Sequence, residues 1–203
     1  MSVAGRHAIV TGAGRMRGIG RGTANVLARM GANVVITGTG RDPATFPDDE
    51  KQAGWRDIQS TAEEVEAHGV RALPLIVNVA DEDDVEKMID ATLAEFGRID
   101  IIVNNAGYTW DSVVQKMTDE QWQAIIDVHM TAPFKILRAA QPVISAKAKE
   151  ELERKQHYAA SVEYRAYADL MRDDPELWCK WSEKYINWRQ LEILGLMSKG
   201  NWA

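Results

Sequence analysis

Short apolar runs and stretches with apolar residues at three- and four-residue spacing take turns along the first two thirds of the chain. Strand-like runs stand at His7 to Thr11, Asn33 to Thr37, Ala72 to Val79 and Ile99 to Asn104. Between them, helical spacing runs from Thr23 to Met30, from Ile58 to His68 (Ile58, Ala62, Val65) and from Asp83 to Phe96 (Val85, Met88, Ile89, Leu93, Phe96). Gly69 and Gly97 follow the second and third of these and predict helix stops, because glycine enters the left-handed conformation that closes a helix. Alternation of this kind predicts βαβ units and a parallel sheet. Gly38 to Gly54, with two prolines and an acidic run, reads as a long surface loop. A fourth helix is predicted from Thr118, an N-cap with Gln121 three residues on, toward Ala140, with Pro133 expected to kink or divide it.

After about Pro142 strand-like runs disappear and charged, aromatic helical sequence takes over. This places a domain boundary between residues 1–142, an α/β domain, and 143–203, a helical segment rich in Trp. Within the second part Asp173-Asp174-Pro175-Glu176 predicts a helix start. Trp178, Trp181, Tyr185 and Trp188 then share one face, which reads as packing or an interface before a ligand pocket.

Composition narrows the class. The chain has 203 residues, 45% hydrophobic and 27% charged, with a net charge of -6 that offers no electrostatic footprint for nucleic acid. One cysteine, Cys179, leaves no internal disulfide, and no Cys/His cluster has metal-ligand spacing, so no metal is expected. No apolar run reaches the ~20 residues of a membrane helix and nothing resembles a signal peptide, so a cytoplasmic protein is expected.

The chemistry is concentrated in Thr11-Gly12-Ala13-Gly14-Arg15-Met16-Arg17-Gly18-Ile19-Gly20, between the first strand and first helix. Glycines there permit a tight turn and close backbone approach, while the helix start aims unpaired N–H groups and positive dipole at a phosphate. A second motif, Asn104-Asn105-Ala106-Gly107, follows the fourth strand. Together, these motifs and the order of elements over residues 1 to about 142 resemble the classical short-chain dehydrogenase/reductase family. The family loop is T-G-x-x-x-G-x-G, and this one is two residues longer.

The resemblance implies a Rossmann-type α/β fold with strand order 3-2-1-4, a nicotinamide dinucleotide as cofactor, and a homo-oligomer formed through the helices around Thr118 to Ala140. It assigns cofactor contacts to Gly12, Gly14, Arg15, Arg17, Gly18, Ile19, Gly20, Thr39, Arg41, Asn78, Val79, Asn105, Ala106 and Gly107. At the end of the second strand, where an acid would accept from the ribose 2′-hydroxyl, stand Thr37, Gly38 and Thr39, with Arg41 beyond and Arg15 and Arg17 in the loop. A 2′-phosphate would meet cations and no carboxylate, so NADP(H) is expected over NAD(H).

The family's catalytic tyrosine has a lysine four residues on, which draws the phenol toward neutrality from its ordinary value of ~10. No tyrosine in these 203 residues is so placed: Tyr158 is followed there by Val162, Tyr164 by Ala168, Tyr167 by Met171 and Tyr185 by Arg189. His129 falls at the family's relay asparagine and is the candidate catalytic residue, open between proton relay and a packed helix-face histidine. Two functions follow from the resemblance. One is an NADP(H)-dependent oxidoreductase acting on a ketone or secondary alcohol; the other is an NADP(H)-binding protein without turnover, serving as a binding or interaction subunit.

Overall fold

The computed structural model describes residues 3–159. The expected helix start at Asp173, the aromatic stripe, Cys179, Tyr164 and Tyr167 lie outside them. By internal contacts the chain divides into Met1–Ile144 and Ser145–Ala203.

The first unit is a four-stranded, all-parallel sheet in the order β3-β2-β1-β4, formed by β1 (His7–Val10), β2 (Asn33–Gly38), β3 (Ala72–Ile76) and β4 (Ile101–Val103). The order and the Rossmann-like class are those the resemblance implied. Connections are α1 (Ile19–Arg29), a segment carrying α2 (Asp48–Gln52), α3 (Ile58–Glu66) and α4 (Glu82–Phe96). After β4 come α5 (Asp119–Ile126), a π-helical stretch Asp127–Thr131 and α6 (Ala132–Ala159).

Strands covered on both faces read as continuous apolar runs, and their alternate residues serve two separate cores. Ile9 and Val35 face Val85, Met88 and Ile89 of α4 and Ala132, Ile136 and Ala140 of α6. Val10, Val34 and Ile36 face Ala24 and Ala28 of α1 and Ile58, Ala62 and Val65 of α3. Among these, Ile9, Val10, Val34, Val35 and Ile36 are completely buried. Register sets the strand ends level: Val10 pairs with Ile36 on one side and with Val103 on the other.

Local signals hold at the helix ends. Gly97 closes α4 at φ 72°, and Gly69 follows α3 at φ 81°. Thr118 and Gln121 form the reciprocal capping box, Gln121 N–H donating to Thr118 Oγ1 and Thr118 N–H to Gln121 Oε1. Pro133 sits in the first turn of α6, directly after the π-helical stretch. The backbone stays helical from α5 through the π-helical stretch into α6, and Pro133, which has no N–H to donate, stands where the wider π turn gives way to α6. Helix α6 runs on through Pro142, past the expected boundary.

One expectation is corrected. Gly38 to Gly54 is not a plain surface loop: it contains a 3-10 turn (Pro43–Thr45) and α2, with Phe46 and Glu50 only 4% and 3% exposed. Its acidic, proline-containing composition supplies an N-cap, Asp42, and a buried partner, Glu50, for Arg41 of the same segment.

Thr11 joins β1 to its outer neighbour β4 at their ends. Its hydroxyl donates to Val103 O and accepts the N–H groups of Asn105 and Ala106, and its side chain is buried. Replacing it with valine keeps the shape and leaves two N–H groups without their acceptor, while Val103 O keeps the backbone N–H of residue 11. Thr11→Val is therefore expected to destabilise the fold by about 2–4 kcal/mol, measured by chemical denaturation, whereas Thr11→Ser should lose less than half of that.

Candidate functional site

The cleft opens at the carboxyl ends of β1, β2 and β4, where open parallel sheets take ligands. It has a volume of about 250 Å³ and is lined by the loop after β1 (Gly12, Gly14, Arg15), the end of β2 and the segment after it (Thr37, Gly38, Thr39, Arg41, Asp57) and the segments after β3 and β4. Those last two contribute Val77, Asn78 and Val79, and Ala106, Gly107 and Tyr108.

Three glycines are fixed by close approach. A Cβ on Gly12, which has φ 68°, would lie 2.6 Å from Ala106 Cα. One on Gly20 would meet Asn105 Nδ2 at 2.5 Å, and one on Gly107 would meet the His129 ring at 2.5 Å. Asn105 supports the loop from behind, its Nδ2 donating to Thr11 O at 2.8 Å and Gly12 O at 3.1 Å. Helix α1 begins after Gly18 with no side-chain cap and no acidic residue in its first turn. Its first N–H groups have no intrahelical acceptor, so the positive end of the helix is available to an anion.

Of the expected cofactor residues, the cleft gathers Gly12, Gly14, Arg15, Thr39, Arg41, Asn78, Val79, Ala106 and Gly107. Gly18 and Ile19 open α1, while Gly20 and Asn105 pack beneath the loop, outside the lining. Arg15 is exposed at the rim of the cleft. Arg17 turns to Asp49 at 2.8 Å with 80% of its side chain exposed. Asn78 Oδ1 accepts from Ala80 N–H, which leaves the amide NH2 as a donor in the cleft. Thr37 Oγ1 is buried beside it with no protein partner.

Arg41 departs from the expectation of a free cation. Its Nε and Nη2 donate to Asp57 Oδ1 at 3.2 and 2.9 Å, its Nη1 to Glu50 Oε2 at 3.0 Å, and it lies over the Phe46 ring at 4.5 Å. Its side chain is only 18% exposed. Burial alone would lower the pKa of Arg41, yet its two carboxylate partners hold it above the ordinary value. These partners come from the folded segment between β2 and α3. Glu50 Oε1 also accepts the N–H of Met16, and Trp55 Nε1 donates to Gly14 O at 2.6 Å. The two residues by which the phosphate loop is longer thus rest on α2 and Trp55.

Arg21 continues this support from α1, donating to Glu64 through Nε and Nη2 at 2.7 and 2.6 Å and to Met16 O through Nη1. The Arg21 bond holds the Glu64 carboxyl below its ordinary value against a smaller opposing effect of burial, with Asn25 assisting.

His129 lies in the π-helical stretch. Its Nε2 is 2.9 Å from Tyr108 O; a carbonyl only accepts, so Nε2 carries the proton and Nδ1 is the basic nitrogen. Its neighbour Val128 lines the cleft. Glu50, Trp55 and Asp57 were missed by sequence reasoning, because Glu50 and Trp55 reach the phosphate loop thirty-four and forty-one residues away and no periodicity marks the meeting of Asp57 with Arg41.

Comparison with known proteins agrees with this geometry. The short chain dehydrogenase family profile matches residues 6–151. The chain is 36% identical over 137 residues to the 3-oxoacyl-(acyl-carrier-protein) reductase FabG of Staphylococcus aureus, covering 68% of this chain and 50% of that protein. It thus spans about half the length of the curated relatives it matches. Among solved structures it resembles carveol dehydrogenase from Mycobacterium avium in complex with NAD (TM-score 0.61, 30% identity, 71% of this chain and 51% of that one). It also resembles a metagenomic short-chain oxidoreductase in complex with NADP (TM-score 0.60, 33% identity, 72% and 60%). No helix among the described residues is long and apolar enough to cross a membrane.

Two outcomes follow for the support of the loop. Glu50→Ala removes one of the two buried carboxylates that bind Arg41 and leaves Met16 N–H without its acceptor, while Asp57 still pairs with Arg41; it should destabilise by about 1–3 kcal/mol in denaturant titration. The Arg21–Glu64 pair works in the opposite direction along pH. Because the folded pKa of Glu64 is depressed, its contribution is complete above the ordinary glutamate range and drains as pH falls through the depressed value. Stability measured against pH should show a shallower acid limb in Glu64→Gln than in the wild type.

Proposed function

The chain belongs to the short chain dehydrogenase family, and on that premise we propose that its first unit binds a nicotinamide dinucleotide for hydride transfer between a ketone and a secondary alcohol. The observation that carries the reading is the cleft itself. A glycine loop, an uncapped helix start and the Asn105-Ala106-Gly107 segment converge at the carboxyl ends of three parallel strands. When bound, the dinucleotide supplies the hydride donor or acceptor.

The residues present suit such a group. The first turn of α1 and the Arg15 guanidinium would hold the pyrophosphate, with Gly12 and Gly14 allowing the backbone to come close. Asn78 would donate to the adenine through its free amide NH2, and Val79 would cover the ring. Reduction of a carbonyl develops negative charge on its oxygen, which a positioned acid must neutralise; such an acid is worth about 10²- to 10⁴-fold in rate. His129 is the candidate among the described residues: with Nε2–H held on Tyr108 O, it would give a proton from Nδ1 as the imidazolium and be left as the neutral ring. We extend the reading to a homo-oligomer through α5 and α6, where Trp122, Phe134 and Leu137 remain 51–61% exposed.

Fluorescence titration with NADH and NADPH tests the proposal. At least one is expected to bind, and Arg15→Glu should weaken it about ten-fold by reversing a charge at the phosphates, with an unchanged melting curve. Failure of both dinucleotides to bind would sink the reading. With bound cofactor, ketone reduction by the 203-residue chain is expected to stay slow, since no tyrosine in it has a lysine four residues on. Any turnover found should fall in His129→Ala without a change in cofactor affinity.

A further inference from the structure

We propose that Asp57, delivered by the folded segment between β2 and α3, reads the adenosine ribose of the bound dinucleotide and selects NAD(H) over NADP(H). The inference rests on the dinucleotide reading above and reverses the preference expected from the sequence.

The carboxylate fills a space that two glycines leave open. A Cβ built on Gly14 would lie 1.9 Å from Asp57 Oδ1, and one on Gly38 would lie 3.6 Å from Asp57 Oδ2 and 2.8 Å from Ile58 Cγ2. Gly38 ends β2, where an acidic side chain would ordinarily meet the ribose hydroxyls. Ile58 denies that position a side chain, and a carboxylate arriving nineteen residues later stands beside it instead. Gly14, Gly38 and Asp57 all line the cleft.

The position is held against a conformational cost. Asp57 is the one non-glycine residue of positive φ among those described, at φ 55° and ψ −130°. Backbone in this region is retained only where surrounding contacts fix it, and such residues gather at ligand sites. Here Arg41 binds Oδ1 through two nitrogens, while Oδ2 receives only the long 3.4 Å approach of Arg41 N–H. Oδ2 therefore keeps the capacity to accept from a hydroxyl.

Charge decides against a phosphate in the same place. Arg41 is shared between Asp57 and Glu50, so the cluster carries two carboxylates to one guanidinium, all of them largely buried. Arg17 is taken by Asp49. A ribose 2′-phosphate would bring further negative charge against Asp57 and could recruit Arg41 only by breaking its existing pairs. A 2′-hydroxyl donates to Oδ2 without disturbing them.

The intact chain is titrated with NADH and NADPH by fluorescence, and with 5′-AMP and adenosine 2′,5′-bisphosphate by calorimetry to isolate the ribose end. The wild type should bind NADH at least about ten-fold more tightly than NADPH, with the same order in the mononucleotides. Asp57→Asn, which keeps the size and removes the charge, should shrink the preference to below about three-fold, chiefly by strengthening NADPH. If that variant fails to fold, the wild-type titrations decide alone. Equal or tighter NADPH binding by the wild type overturns the proposal, as does a preference that survives unchanged in folded Asp57→Asn. Binding of neither dinucleotide is a separate result: it overturns the dinucleotide reading, and this inference falls with it.

Discussion

Everything at the mouth of the cleft depends on how the ends of β1 and β4 are fastened together. Beyond the ladder, Thr11 does this: its N–H and Oγ1 both donate to Val103 O, and Oγ1 accepts from two consecutive N–H groups of the segment that follows β4. Asn105 returns the link by donating to Thr11 O and Gly12 O. The two motifs, more than ninety residues apart in sequence, are thereby one structural unit. Gly12 has no side chain because Ala106 occupies the space beside it. Apolar burial holds the layers together, and this polar clasp sets where the backbone lies within them.

A second constraint is built onto the first. The phosphate loop is longer than the family pattern, and its extra backbone needs partners of its own. The segment between β2 and α3 supplies them through Glu50, Trp55 and Arg41. The contacts differ in weight. Arg17–Asp49 is a solvated pair of the sort that contributes little, whereas Arg41 bridges two largely buried carboxylates. In the buried cluster, loss of Arg41 would strand both carboxylates at once.

Asp57 shows how such support becomes chemistry. Its strained backbone, its place between two side-chain-free residues and its Arg41 clamp are all consequences of packing the segment against the phosphate loop. The same arrangement sets the charge of the cleft beside β2. His129 is a parallel case beside the segment after β4, with Gly107 making room for the ring and Tyr108 O selecting the tautomer.

The sequence by itself determined the elements whose causes are local. Apolar runs buried on both faces announce parallel strands, Gly69 and Gly97 stop helices through their own backbone, and Thr118 with Gln121 caps α5 within a single turn. The glycine loop and Asn105-Ala106-Gly107 were legible for the same reason, since each is a short constraint on one stretch of backbone. Only the tertiary structure decided the meaning of residues 39–57 and of the charges near the cleft. Arg41 is a free cation or a neutralised one according to whether Asp57 and Glu50 fold against it, and Glu50 finds Met16 thirty-four residues away. Periodicity records which face of an element is buried. It carries no record of which distant carboxylate will come to rest beside a given arginine, because burial and distance set that energy together.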